Sequence, residues 1–193
     1  MNCNQISAII LAAGQSARLG TPKQLLPWQE STLLDFTIST IRDSGIEDIV
    51  LVLGSNAELI KKSLNKPALR IVYNTSWKSG KASSIRAGLN AISRAAEGVL
   101  IFLCDQPYLT AELIQKIIQT GEGSPADIIA PAIGEQLINP VLFKRRTFSA
   151  FLTLQGEEGG KNLFSRYPLQ RVEWGDARLL WDIDTPEDMQ KLG

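Results

Sequence analysis

Two acidic stretches and one cationic loop carry most of the chemistry available to this sequence. Asp105 follows Val99-Leu100-Ile101-Phe102-Leu103, the most hydrophobic run of the chain. A lone carboxylate at the end of such a run is costly unless it meets a cation or stays hydrated. Mg²⁺ answers that need, because it takes one or two carboxylates together with phosphate oxygens and water. A second acidic stretch is Asp182-Ile183-Asp184-Thr185-Pro186-Glu187-Asp188. The loop Leu11-Ala12-Ala13-Gly14-Gln15-Ser16-Ala17-Arg18-Leu19-Gly20-Thr21-Pro22-Lys23 begins with small residues, over which backbone amides can approach a polyphosphate. Arg18 and Lys23 can neutralise the charge of such a ligand. The glycine spacing is neither that of a Walker loop nor that of a dinucleotide fingerprint, and a flexible loop with solvated cations is the alternative. Downstream, Asn74-Thr75-Ser76-Trp77-Lys78-Ser79-Gly80-Lys81-Ala82-Ser83-Ser84-Ile85-Arg86-Ala87-Gly88 opens a helix with amides and hydroxyls, which suits an anion or a base edge. Ordinary helix capping by Ser83 or Ser84 explains the same residues.

Composition narrows the chemistry. The chain contains no histidine, which removes His-based triads, a His general base and the usual His-rich zinc site. Lys plus Arg and Asp plus Glu each total 20, so no global field draws the protein to nucleic acid or to an anionic membrane. Apolar runs stay below the roughly 20 residues that span a bilayer. The first residues, Met1 to Gln5, lack the basic start of a secretory signal, and the expected location is cytoplasmic. Cys3 and Cys104 do not make a disulfide framework and are expected as free thiols. With 193 residues, 44% of them hydrophobic, the chain is expected to form one domain, residues 1–193.

These residues need a scaffold, and the periodicity supplies one. Strand-like runs at Ile6 to Leu11, Ile49 to Leu53, Leu69 to Tyr73 and Val99 to Leu103 each precede a helical pattern: Thr32 to Ser44, Ala57 to Leu64, Ala82 to Ala96 and Ala111 to Gln119. Successive β-α units imply an α/β fold, a Rossmann-like, mostly parallel sheet with helices on both faces. Beyond Gly121 the pattern loosens into short strands at Asp127 to Ala130, Val141 to Phe143 and Leu169 to Trp174, with helices at Arg145 to Leu154 and Lys161 to Tyr167. Thr185 suits a helix N-cap with Pro186 in the first turn, where Glu187 and Asp188 complement the helix dipole.

Taken with the Leu-Ala-Ala-Gly loop, the Cys104-Asp105-Gln106-Pro107 segment and the Asp-Ile-Asp-Thr-Pro-Glu-Asp ending, the whole chain resembles the nucleotidyltransferases of the molybdenum cofactor cytidylyltransferase type. The resemblance implies a glycosyltransferase-A-like nucleotidyltransferase fold. It implies that Leu11, Ala12, Ala13 and Gly14 wrap a triphosphate held by Arg18 and Lys23, and that Gly80 and Ser84 lie beside the base. It also implies Mg²⁺ on Asp105 and Asp184, with Asp184 preferred over Asp182. Asn139, Pro140 and Lys161 fall in segments that face the acceptor in that family. Two departures mark those segments: Ile138 stands where the family usually has Gly, and Glu158 where it has a cation.

The implied reaction is in-line attack by an acceptor phosphate on the α-phosphorus of CTP, with pyrophosphate leaving towards Gly14, Arg18 and Lys23. A molybdopterin-type acceptor is implied, and a molybdenum hydroxylase would receive the product. On the same scaffold the alternatives are a guanylyl or sugar-phosphate transferase, since fold does not fix substrate. A non-catalytic molybdopterin-binding chaperone is a third reading.

Overall fold

Ile6, Ala8, Ile10 and Ala12 point to one side of the first strand while Ile9 and Ala13 join the packing on the other. A strand apolar on both faces has to be covered on both, and the computed structural model, which describes residues 2–16, 19–65, 69–185 and 187–188, shows how. The strands are β1 (Ile6–Ala12), β2 (Pro27–Trp28), β3 (Ser31–Thr32), β4 (Asp48–Leu53), β5 (Arg70–Tyr73), β6 (Gly98–Leu103), β7 (Ile128–Ile133), β8 (Gln136–Leu137), β9 (Val141–Lys144) and β10 (Leu169–Glu173). The helices are α1 (Leu33–Asp43), α2 (Ala57–Ser63), α3 (Lys81–Leu89), α4 (Ala111–Gly123) and α5 (Phe148–Phe151).

The main sheet has the order β10-β7-β9-β6-β1-β4-β5, with β8 pairing on β7. Parallel pairing joins β6, β1, β4 and β5, and also β7 and β10. Strand β9 runs antiparallel to both β6 and β7. The fold is therefore α/β and Rossmann-like, with a mostly parallel sheet as expected. From β1 the chain winds outward through β4 and β5, then crosses back to place β6 on the other side of β1. Such a reversal opens a crevice at the carboxyl ends of the strands.

One face of the sheet packs Leu34, Ile38 and Ile41 of α1, Ile60 of α2 and Leu113, Ile114 and Ile117 of α4. The opposite face packs Ala82 and Ile85 of α3 with Phe143, Phe151 and Leu163. Phe102 is 1% exposed, and truncation of a phenylalanine so placed costs about 3–5 kcal/mol. Helix starts follow local chemistry. The Thr32 hydroxyl accepts from the Asp35 amide at 3.1 Å and the Thr110 hydroxyl from the Leu113 amide at 3.2 Å, which satisfies donors left open in a first turn.

Several boundaries differ from those read in the sequence. Helix α3 stops at Leu89, not Ala96, because the chain must turn there: the Ser93 amide donates to the Asp48 carboxylate at 2.8 Å. The helix read at Arg145 to Leu154 is a 3₁₀ turn followed by the four residues of α5. That read at Lys161 to Tyr167 is a 3₁₀ turn over Gly160–Leu163. The hairpin of β2 and β3 and the short strand β8 carry no periodicity to read, being two residues each. Among the described residues no helix is long and apolar enough to cross a membrane.

Candidate active site

A cleft of about 630 Å³ opens at the topological switch, lined by Leu11 near the end of β1, by Ala13, Gly14 and Ser16 beyond it, and by Leu103, Cys104 and Asp105 at the end of β6. Its volume is that of a small-molecule site. The loop after β1 is held open by its own contacts. The Ser16 hydroxyl accepts from the Lys23 amide at 3.0 Å, and the Gln24 side-chain amide donates to the Ala12 carbonyl at 3.1 Å. Ala12 is therefore buried behind the wall, while Ala13 and Gly14 form its surface. Among the described residues, apart from its two chain neighbours, no atom lies within 4 Å of the place a Gly14 Cβ would take, and Gly14 lines the cleft.

The acidic residues meet here. The Ile183 amide donates to the Asp105 carbonyl at 2.9 Å, and this bond draws the segment 182–184 against the end of β6. Asp182 and Asp184 both line the cleft beside Asp105. The Asp184 and Thr185 amides and the Thr185 hydroxyl all donate to the Asp188 carboxylate, and the Asp188 amide donates back to the Thr185 hydroxyl. Asp188 is thus engaged in holding the turn, as a helix-start residue should be, while Pro186 lies outside the described residues.

Lys23 connects the two acidic segments. Its Nζ lies 3.0 Å from Asp105 Oδ2 and 2.9 Å from Asp184 Oδ1. Burial alone would lower the lysine pKa, but the charges and hydrogen bonds of Asp105 and Asp184 outweigh it and raise the value above the usual lysine range. The other oxygen, Asp105 Oδ1, is buried and has no hydrogen-bond partner among the described residues. A buried carboxylate oxygen without a donor is costly, and it is the arrangement expected of a group that takes a cation. At Asp182, desolvation in the cleft and then the charges of Asp105 and Asp184 push the carboxyl up to about 6.

A further part of the cleft wall is built on the start of α3. Gly80 has φ of 100°, and a Cβ there would sit 2.2 Å from the backbone of Gly156, so only glycine lets the 155–160 turn dock. The Ala82 amide closes the contact by donating to the Gly156 carbonyl at 3.0 Å. Ser84 and Gly80 line the cleft. Ser83 does not: its hydroxyl donates to main-chain carbonyls of Ser76 and Gly80, and the Asn74 amide donates to both serines at 2.8 and 3.0 Å. The guanidinium of Arg86 donates to the Leu154 carbonyl and anchors scaffold.

The expected residues divide accordingly. Leu11, Ala13, Gly14, Lys23, Gly80, Ser84, Asp105 and Asp184 come together on one cleft. Arg18 lies outside the described residues. Asn139 and Pro140 are not on the cleft wall, although the Asn139 carbonyl accepts from Gln106 at 3.3 Å, directly after Asp105. Lys161 is also off the wall, close enough for its charge to act on Asp182. The departures at Ile138 and Glu158 are structural. Ile138 is 6% exposed in the core, and the Glu158 carboxylate accepts from the Gln155 amide at 2.8 Å, closing its own turn. Sequence reasoning missed Gln24, Trp77, Lys78, Lys81 and Glu157 as cleft residues. For Lys78 and Lys81, cations flanking a glycine at a helix start were the available signal.

Comparisons with known proteins show the family and the fold. A family model described as the MobA-like NTP transferase domain matches residues 8–172. Nicotine blue oxidoreductase of Paenarthrobacter nicotinovorans is 30% identical over 199 residues, covering 97% of this chain and 96% of that protein. Molybdenum cofactor cytidylyltransferase of Escherichia coli K12 is 28% identical, covering 95% of this chain and 93% of its own length. Among solved structures, Rv0371c of Mycobacterium tuberculosis H37Rv superposes with a TM-score of 0.86 at 29% identity, over 100% of this chain and 98% of that one. A structure of the same mycobacterial protein in complex with manganese gives a TM-score of 0.84 at 27% identity, covering 98% of each chain.

Proposed function

This chain belongs to the MobA-like NTP transferase family and is a nucleotidyltransferase, and from that premise we propose that it transfers CMP from CTP to a molybdopterin-type acceptor with release of pyrophosphate, residues 1–193 acting as one domain. The observation that carries the reading is the convergence of Lys23, Asp105 and Asp184 beside Gly14, at the switch point of the sheet. Among the described residues Asp105 Oδ1 is buried in that cleft with no hydrogen-bond donor, a need that a bound cation would meet.

In the proposed reaction an oxygen of the acceptor's terminal phosphate attacks the α-phosphorus of CTP. The bond from that phosphorus to the bridging oxygen breaks, and the electron pair leaves with pyrophosphate. Mg²⁺ held by Asp105 and Asp184 would supply positive charge to the phosphate oxygens as negative charge moves onto the leaving group. The backbone at Ala13 and Gly14 accommodates the triphosphate closely, with Arg18 and Lys23 as its cations. Gly80 and Ser84 position the base. An ionised phosphate nucleophile needs no general base, which suits a chain without histidine. Positioning and electrostatics therefore carry the rate. Asn139, Pro140 and Lys161 remain candidates for the acceptor side, and a molybdenum hydroxylase for the recipient of the product.

A likeness to the relative named molybdenum cofactor cytidylyltransferase supports CTP. A relative named a probable guanylyltransferase, 26% identical over 98% of the chain, supports GTP as the competitor. The test is pyrophosphate release from CTP and from GTP, each with and without molybdopterin, with a reduced nicotinamide nucleotide as control because one relative is named an oxidoreductase. Release that depends on both CTP and the acceptor is expected. Acceptor binding with no release from either nucleotide would favour the chaperone reading and overturn this one.

A further inference from the structure

The ammonium of Lys23 sits between the two carboxylates to which the proposed reaction assigns a divalent cation. Lys23 and Asp105 are largely shielded there, their side chains 18% and 14% exposed. The lysine is fixed at its base, and its head is carried on a flexible stem. Its backbone amide is held by Ser16, in the same loop that carries Gly14, while four rotatable carbons lie between that anchor and Nζ. The head can therefore travel towards the phosphate side of the cleft without any change in the loop.

We infer that Lys23 is an exchangeable internal counter-ion: in the nucleotide-free protein its ammonium holds Asp105 and Asp184 together and excludes a free divalent cation, and an arriving triphosphate draws it away so that metal and nucleotide bind together. The inference rests on the nucleotidyltransferase reading and adds an order of binding to it. Its logic is electrostatic. Asp105, Asp182 and Asp184 line one wall, and with no positive charge among them they would repel one another at short range. A dication entering alone would have to break both ion pairs of Lys23 and leave the ammonium only Asp182 and Glu157 among the remaining carboxylates of the cleft. A triphosphate is a far denser anion, so the lysine changes partner and the carboxylates are released to the metal. Coupling of this kind is reciprocal: nucleotide strengthens metal binding by the same factor as metal strengthens nucleotide binding.

The test uses Mn²⁺ alone as probe, with free ion counted by electron paramagnetic resonance, on the nucleotide-free protein after treatment with chelator. Lys23→Met is expected to bind Mn²⁺ at least about fivefold more tightly than wild type, the lower end of ordinary coupling between sites, while its affinity for CTP falls. Lys23→Arg keeps the charge and is expected to stay near the wild-type Mn²⁺ affinity. Circular dichroism checks folding, and Lys23→Gln carries the same expectation should the methionine variant not fold. Mn²⁺ affinity that is unchanged or weaker in the neutral variants overturns the inference, even in an enzyme that releases pyrophosphate. Failure of the functional reading registers separately, as absence of release with every nucleotide.

Discussion

Lys23 Nζ stands 3.0 Å from Asp105 Oδ2 and 2.9 Å from Asp184 Oδ1, joining residues 82 and 161 positions away along the chain. One side chain thus ties the loop after β1 to the end of β6 and to the acidic segment near the end of the chain. Because the contact is made at the mouth of the sheet, outside the packed core, its loss should be felt in chemistry before stability. Asp105→Asn is expected to lower pyrophosphate release by roughly 10²–10³-fold, the usual loss when a group aimed at developing charge is removed. Its circular dichroism spectrum should match wild type. Turnover at the wild-type level would remove Asp105 from the mechanism.

Two glycines that line the cleft should respond differently to alanine. At Gly80 a Cβ would meet the Gly156 backbone at 2.2 Å, with φ at 100°, so Gly80→Ala is expected to cost about 1–3 kcal/mol or more in chemical denaturation. At Gly14 no atom of the described residues beyond its chain neighbours lies within 4 Å of the added Cβ. Gly14→Ala should fold with wild-type stability and bind nucleotide more weakly, read as a raised KM. Equal denaturation midpoints for the two variants would contradict the packing described for α3.

Asp182 gives a pH signature in metal-free buffer. Desolvation, then the charges of Asp105 and Asp184, push its carboxyl up to about 6 from an ordinary 3.8, against the opposing pull of Lys23 and Lys161. A carboxyl with a raised folded value binds its proton more tightly when folded, so its contribution to stability is complete below about pH 4 and is lost as pH climbs towards 6. Asp182→Asn should therefore match wild type in melting temperature at low pH and exceed it at pH 7. A variant less stable than wild type at neutral pH would contradict the crowding.

Thiol chemistry tests the floor of the cleft. Cys104 is 2% exposed, and burial followed by the charge of Asp105 pushes its thiol far above the usual range, with Lys23 opposing. Cys3 is half-buried. A thiol reagent near neutral pH should label Cys3 alone in the native protein and both cysteines after denaturation, as counted by mass spectrometry. Fast native labelling of Cys104 would mean that the end of β6 is open to solvent.

Much of the sheet could be read in advance because its strands announce themselves. Val99 to Leu103 is apolar on both faces, and such a run fits only a covered strand. The loop after it and the loop after β1 then had to meet at the carboxyl edge. Other features depend on partners remote in sequence. Nothing in Val141 to Lys144 says that β9 runs antiparallel between β6 and β7. The docking of Gly156 on Gly80 makes Glu157 a cleft residue, yet no local pattern encodes that approach. Asn139 and Lys161 belong to segments that resemble an acceptor site, but tertiary packing sets them back from the wall. Lys23 was readable as a phosphate ligand and not as a partner of two carboxylates, since that pairing exists only once three distant segments converge.

The convergence itself is tested most directly by a crystal of the protein with CTP and Mn²⁺, using the anomalous signal of the metal. The expected result is a peak at about 2.0–2.3 Å from oxygens of both Asp105 and Asp184, within ordinary coordination distance for such ions, with Lys23 Nζ moved onto a phosphate oxygen. A peak away from these carboxylates, or Lys23 still bridging them with nucleotide bound, would contradict the assignment.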